Sequence, residues 1–151
     1  MVYDHIKTHE EGFRRPFLRI LSNFTAEPLE PTLKFWAKKL PLKPKISFAS
    51  YNQVIQELLD PTSKTRLNKV GINIILLRLE DVYRYVSKKN TSIISRILNE
   101  YLSQLLEGLA ISSSETKIAH LVILCPSSLA ITKEESIVKT IRRAEKQLKE
   151  K

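Results

Sequence analysis

Four short apolar runs, at residues 17–21, 45–50, 72–79 and 120–125, are separated by stretches with helical periodicity. That alternation leaves few architectures open. None of the runs alternates cleanly between apolar and polar, as expected of parallel strands covered on both faces. Between them, Leu29, Leu33, Trp36, Ala37 and Leu40 share one face of a helix over 28–40. Val54, Ile55, Leu58 and Leu59 form the apolar side of a second helix that begins at Tyr51-Asn52-Gln53. A long helix over 92–110 carries Ile94, Leu98, Tyr101, Leu102, Leu105 and Leu109, and Gly108 and Ser112 to Ser114 are expected to end it. A last helix over 133–150 turns Ile137, Ile141, Ala144 and Leu148 inward. Strand, helix, strand, repeated, means a parallel sheet with right-handed crossovers. At its spacing, Trp36 is expected to anchor the core.

The chain's 151 residues suit one domain with one core. Residues 1–15 are a polar lead-in, and 16–151 are the domain. A single cysteine, Cys125, allows no internal disulfide and is expected to be a structural thiol. The first residues lack the apolar core of a signal peptide, and no apolar run is long enough to cross a membrane, so a cytoplasmic location is expected. With 25 Lys+Arg against 16 Asp+Glu the net charge is +9, which raises nucleic acid as a partner. The basic residues are scattered, and the sequence shows no aromatic residues alternating with them as a stacking platform requires. A solvated lysine-rich surface is the simpler reading.

In an open α/β sheet, ligands bind past the carboxyl ends of the strands. The first such end is Leu18-Arg19-Ile20-Leu21 running into Ser22-Asn23-Phe24-Thr25. Tyr51, Asn52 and Gln53 follow the second strand, and Arg78, Glu80 and Asp81 lie at the end of the third. Glu80 and Asp81 suggest acid/base work or cation binding; the alternative is that they cap a helical turn or pair with Arg78 or Arg84. Three glycines exclude a Gly-rich nucleotide loop, and one cysteine with three unrelated histidines excludes a structural zinc site. No metal and no cofactor are expected. Ser22 stands where a nucleophile would stand, but it requires a histidine base. His120 opens the fourth strand, at the opposite edge, and His5 and His9 lie in the lead-in.

Five ordered blocks resemble a known family: 22–29 (Ser-Asn-Phe-Thr-Ala-Glu-Pro-Leu), Phe35-Trp36, 48–54 (Phe-Ala-Ser-Tyr-Asn-Gln-Val), 58–63 (Leu-Leu-Asp-Pro-Thr-Ser) and 71–81 (Gly-Ile-Asn-Ile-Ile-Leu-Leu-Arg-Leu-Glu-Asp). They look like the N-terminal domain of FkbH-like proteins of the HAD-superfamily class IIIC, as embedded in non-ribosomal peptide synthetases and polyketide synthases. Cys125-Pro126-Ser127-Ser128 also suits it. The resemblance implies a three-layer flavodoxin/SGNH-like sandwich with a parallel sheet of about four strands in the order 2-1-3-4, stopping before a usual fifth strand. Ser22 matches the position of the SGNH nucleophile. The Gly-Asp-Ser context is replaced by Leu21-Ser22-Asn23, Arg78-Leu79-Glu80-Asp81 stands where a Gly-x-Asn-Asp block would follow, and no Asp-x-x-His block or HAD Asp-x-Asp pair occurs.

The resulting expectation is a non-catalytic domain of a peptide or polyketide assembly line. Its partner is a neighbouring domain, a carrier protein or a carrier-tethered intermediate. The expected binding crevice comprises Ser22, Asn23, Thr25, Tyr51, Asn52, Gln53, Arg78, Glu80 and Asp81. The alternatives are an incomplete SGNH-type acyl-ester hydrolase using Ser22 and a basic nucleic-acid-binding domain. The sheet edge left by a missing fifth strand is a candidate surface for a homodimer.

Overall fold

The computed structural model describes residues 15–41, 43–86, 90–128 and 134–150. Strands β1 (Phe17–Ser22), β2 (Lys45–Phe48), β3 (Gly71–Leu77) and β4 (Ala119–Leu124) form one parallel sheet in the order β2-β1-β3-β4. The expected architecture and strand order are both present. A 3-10 turn at Glu27–Leu29 leads into α1 (Glu30–Lys39); α2 is Val54–Leu59, α3 Leu79–Val82, α4 Thr91–Thr116 and α5 Glu135–Lys149. Arg15 excepted, the lead-in with His5 and His9 lies outside the described residues.

The two faces of the sheet are covered unequally. Leu21, Ile75 and Leu77 face α2, α4 and α5, and pack with Val54, Leu58, Ile94, Leu98, Leu105, Ile137 and Ile141 into the main core. The other face carries Ile20 and Leu76, with Ile46, Phe48 and Ile74 partly buried beside Leu33 of α1. Register puts Leu121 opposite Ile74 and Ile123 opposite Leu76, on this same face. They remain 45% and 40% exposed. Helix α1 covers only the β1–β2 half.

Helix α1 corrects one expectation. Trp36 is 60% exposed, and Phe35, Leu29 and Leu40 are exposed with it; only Ala37 is buried. The periodicity was a true helix signal, but among the described residues no second helix packs beside α1 against which it could bury a broad apolar face.

The long helix also runs past its expected stop, to Thr116. Gly108 is inside it, where a Cβ would come within 3.0 Å of the Leu58 Cβ, so glycine lets α2 and α4 approach closely. Ser113 and Ser114 donate their hydroxyls back to the carbonyls of Ala110 (3.2 Å) and Ile111 (2.8 Å), as serines in helices do. Lys117, at φ 58°, ends the helix in the left-handed conformation. At the other end the Asn90 side chain accepts from Ile93 N–H at 2.9 Å.

A buried polar network ties the amino half of the sheet to α2 and to the loop after it. Arg19, inside β1, donates to Ser47 Oγ, to the Phe48 carbonyl and to Glu57 Oε1, each at 2.6 Å. Thr65 donates to Glu57 Oε2 at 2.5 Å. Asn73, fully buried in β3, donates to the Thr65 carbonyl at 3.1 Å and accepts from Asn68 at 3.0 Å. His120 closes the network against Ser112 (2.8 Å) and Asn73 (3.2 Å).

Three outcomes follow for stability. Replacing Arg19 with Met strands the Glu57 carboxylate and is expected to cost about 3 kcal/mol in urea unfolding. Gly71 has φ +134°, and a Cβ there would lie 2.2 Å from the Phe17 carbonyl oxygen, so Gly71→Ala is expected to cost about 2 kcal/mol or more. Burial pushes the His120 pKa below the ordinary histidine range, so the unfolded chain takes up that proton first. Stability is then complete above about pH 6.5 and falls as pH drops below it. Urea midpoints measured from pH 7.5 to 5 should fall less in His120→Gln than in the parent; equal slopes would rule out His120 as the source.

Candidate functional site

The carboxyl edge is assembled by backbone bonds between successive strand ends. Ala49 N–H donates to the Ile20 carbonyl at 2.7 Å, and Asn52 N–H to the Ser22 carbonyl at 3.2 Å. Asn52 holds a left-handed φ of 55°, a conformation asparagine tolerates better than most residues. Asn23 joins the β1 and β3 ends reciprocally: its side-chain amide donates to the Arg78 carbonyl and its Oδ1 accepts from Arg78 N–H, both at 2.9 Å. A side chain here does the work of a ladder rung beyond the last strand residue.

Arg78 lies 4.6 Å from the centre of the Phe24 ring and 3.5 Å from Asp81. Arg84 also pairs with Asp81. Burial raises the Asp81 carboxyl above the ordinary aspartate range, and the two guanidiniums oppose that shift without reversing it. Glu80, buried beside it in α3, accepts from Ser128 N–H at 2.7 Å and so fastens the loop after β4. Beneath them burial pushes the Tyr83 phenol up to about 12. Glu80 and Asp81 both lie in a short helical turn; Asp81 makes the pairs with Arg78 and Arg84 anticipated as the alternative to acid/base work, whereas Glu80 holds the Ser128 backbone instead.

The nine crevice residues named from sequence all follow β1, β2 or β3 at this one edge. Their accessibility differs. Ser22, Asn23, Glu80 and Asp81 are buried and Arg78 is half-buried, whereas Thr25, Tyr51, Asn52 and Gln53 are exposed. The neighbouring Tyr85 hydroxyl raises the Tyr51 phenol, and both tyrosines are exposed. Buried members shape the loops, and the exposed ones face solvent.

Ser22 donates its hydroxyl to the Phe24 carbonyl at 2.6 Å. It projects to the α1 face, with Ile20, while His120 projects to the α4 face, with Asn73 and Val122. Two strand spacings and three residues of rise separate them by roughly 14 Å. Among the described residues, no histidine reaches Ser22. Cys125 ends β4 at the same edge, its N–H on the Leu77 carbonyl at 2.7 Å. Burial raises its thiol pKa, which keeps it protonated and a poor nucleophile. No group of three or more His, Cys, Asp or Glu suited to a metal occurs among the described residues. No helix among them is long and apolar enough to cross a membrane.

Sequence reasoning missed two features. One is the Arg19–Glu57–Asn73 network, hidden in strands that read as apolar. The other lies at the amino edge, where Arg15, Lys34, Lys38, Lys43 and Lys45 surround a groove of about 690 Å³. The lysines were visible in the sequence; their convergence was not.

Replacing Asn23 with Leu leaves the Arg78 backbone N–H and carbonyl unmatched at a site only 2% exposed. A loss of about 2 kcal/mol in unfolding free energy is expected, with amide exchange accelerating first at Arg78 to Asp81. An unchanged exchange pattern there would show that the two strand ends are held by something else.

No family model matches the chain, and no curated protein matches it. One solved structure does: the N-terminal part of protein BF1531 from Bacteroides fragilis, containing a phosphatase domain and complexed with Mg. It superimposes with a TM-score of 0.66 at 15% identity, over 89% of this chain and 37% of that one. The likeness is one of fold, and this chain spans well under half the length of its structural neighbour.

Proposed function

We propose that the chain is a non-catalytic α/β module of a multidomain biosynthetic assembly, of the FkbH-like kind, that binds an adjacent domain or a carrier protein with its tethered intermediate. The observation that carries this reading is the state of Ser22. Its hydroxyl is engaged with the Phe24 carbonyl, and His120 is bonded into a structural network on the other face of the sheet. The position that the family resemblance equates with a nucleophile is here a loop tie, which favours recognition over ester hydrolysis. The five sequence blocks support the same reading. So does the shared fold with the N-terminal part of a longer protein that contains a phosphatase domain.

Under this reading the rim tyrosines, Asn52, Gln53 and Thr25 contact the partner, and Arg78 is the nearest cation for a phosphate or carboxylate group. The outer edge of β4, without a strand partner among the described residues and with Leu121 and Ile123 exposed beside it, is the part of the proposed module that would contact a neighbouring domain. A second copy of the chain is the competing occupant, and sedimentation equilibrium distinguishes the two.

The deciding experiment is a titration of isotope-labelled protein with carrier domains, without and with the phosphopantetheine arm, followed by amide chemical shifts. Shifts confined to Thr25, Tyr51–Gln53 and Arg78–Asp81, and stronger with the arm, are expected. No shift at high micromolar carrier would remove carrier recognition from the proposal. Hydrolysis of short acyl esters abolished by Ser22→Ala would instead restore the hydrolase reading.

A further inference from the structure

We infer that the groove between α1 and β2, at the amino edge of the sheet, is a docking site for an acidic amphipathic helix of a partner protein. This surface is separate from the carboxyl-edge crevice. The inference rests on the reading of the chain as a binding module, and adds where and by what chemistry a partner is held.

The groove has two cationic rims. Lys34 and Lys38, one turn apart on α1, form one, and Lys43 and Lys45, leading into β2, form the other; Arg15 stands beside them. Among the described residues, only Lys34 of these five has a carboxylate within salt-bridge reach, the exposed Glu30 at 2.7 Å. The floor between the rims is apolar, made of Phe17, Ala37, Pro44 and Ile46. An apolar strip bordered on both sides by ammonium groups, of which only Lys34 has a carboxylate partner among the described residues, is the complement of a helix with an apolar ridge bordered by carboxylates. A second depression of about 490 Å³ shares Arg15, Phe17 and Lys45 and adds Lys64 and Lys69, which extends the positive surface along the same edge.

Geometry favours a protein over a nucleic acid. Single-stranded binding needs aromatic faces on which bases stack. Phe35 and Trp36 are exposed on α1, but at 100° per residue they point away from the flank that Lys34, Ala37 and Lys38 give to the groove. Lys39 already lies 5.6 Å over the Phe35 ring, and Trp36 meets that ring edge to face. Of the residues lining the groove only Phe17 is aromatic, and it is half-buried; one ring does not make the series of faces on which successive bases stack. Edge-strand lysines also deter aggregation, which accounts for Lys45 but not for the facing pair on α1.

The test uses the full chain and three probes: a synthetic helix with leucines at i, i+3, i+4 and i+7 flanked by glutamates, a glutamate-only peptide of equal charge, and single-stranded oligodeoxythymidylate. The leucine-bearing helix is expected to bind with shifts at Ala37, Lys38, Lys45 and Ile46, and to weaken steeply with salt. Lys38→Glu with Lys45→Glu should weaken it by roughly tenfold or more. The doubly reversed protein should in turn accept the same peptide carrying lysines for glutamates, a gain that a misfolded variant cannot produce. Equal binding of the glutamate-only peptide, tighter binding of the oligonucleotide through the same residues, or no shifts in the groove would each overturn the inference. Groove shifts without crevice shifts from carrier domains would overturn the carrier reading alone and leave this one standing.

Discussion

The ion pair between Arg19 and Glu57 is the contact on which this fold most depends. Arg19 lies in a central strand, where the sequence reads as apolar, and its side chain is 4% exposed. A buried guanidinium persists only if its donors are matched. Here Nη1 and Nη2 reach β2 through Ser47 and Phe48, and α2 through Glu57, while Nε is left without a partner among the described residues. Glu57 in turn holds Thr65, and the Thr65 carbonyl accepts from Asn73 of β3. One residue thereby sets the mutual placement of two strands, a helix and the following loop. Apolar packing alone would tolerate sliding of α2 along the sheet; a directional network does not.

The carboxyl edge depends on that placement. With β1 and β3 in fixed register, Ser22 pairs with Leu76, and Asn23 arrives one residue beyond it to meet the Arg78 backbone. Arg78 can then lie over Phe24 and against Asp81. Specific polar ties thus hold the sheet at both ends, buried Arg19 and Asn73 near one and Asn23 near the other, with continuous apolar packing between them. This distribution explains why a four-stranded sheet with one face half covered still specifies a single arrangement.

Much of the fold was legible because periodicity reports burial. Strand runs, helix faces and the order 2-1-3-4 follow from alternation, crossover handedness and the family blocks. The failures have a common physical origin. Periodicity says that Leu29, Trp36 and Leu40 share a face, but not whether anything covers it. Serines and a glycine near residue 110 read as a stop, yet the hydroxyls bond back to helix carbonyls and Gly108 admits Leu58. Arg19 and Asn73 were invisible as structural residues because pattern reading assigns a side to a residue and not a partner. At the carboxyl edge, sequence placed the loops correctly at one end of the sheet. It could not divide them into buried ties such as Asn23 and exposed rim residues such as Tyr51.

The two ends of the sheet differ most in how they hold charge. At the carboxyl end, Arg78 and Arg84 share Asp81, and Glu80 is spent on the Ser128 backbone; the charges there are largely neutralised within the protein. At the amino end, lysines gather around a groove with one carboxylate, Glu30, in salt-bridge reach among the described residues. Paired charges have short fields, whereas unpaired ones project about a Debye length into solvent. On the proposed reading, an acidic partner is oriented by the field of the amino end before contact, and the carboxyl end, with its fixed loops and tyrosine rim, is what discriminates by shape at close range. The proposal of a module held between two neighbours draws on this separation of the two ends, because a single small ligand cannot touch both.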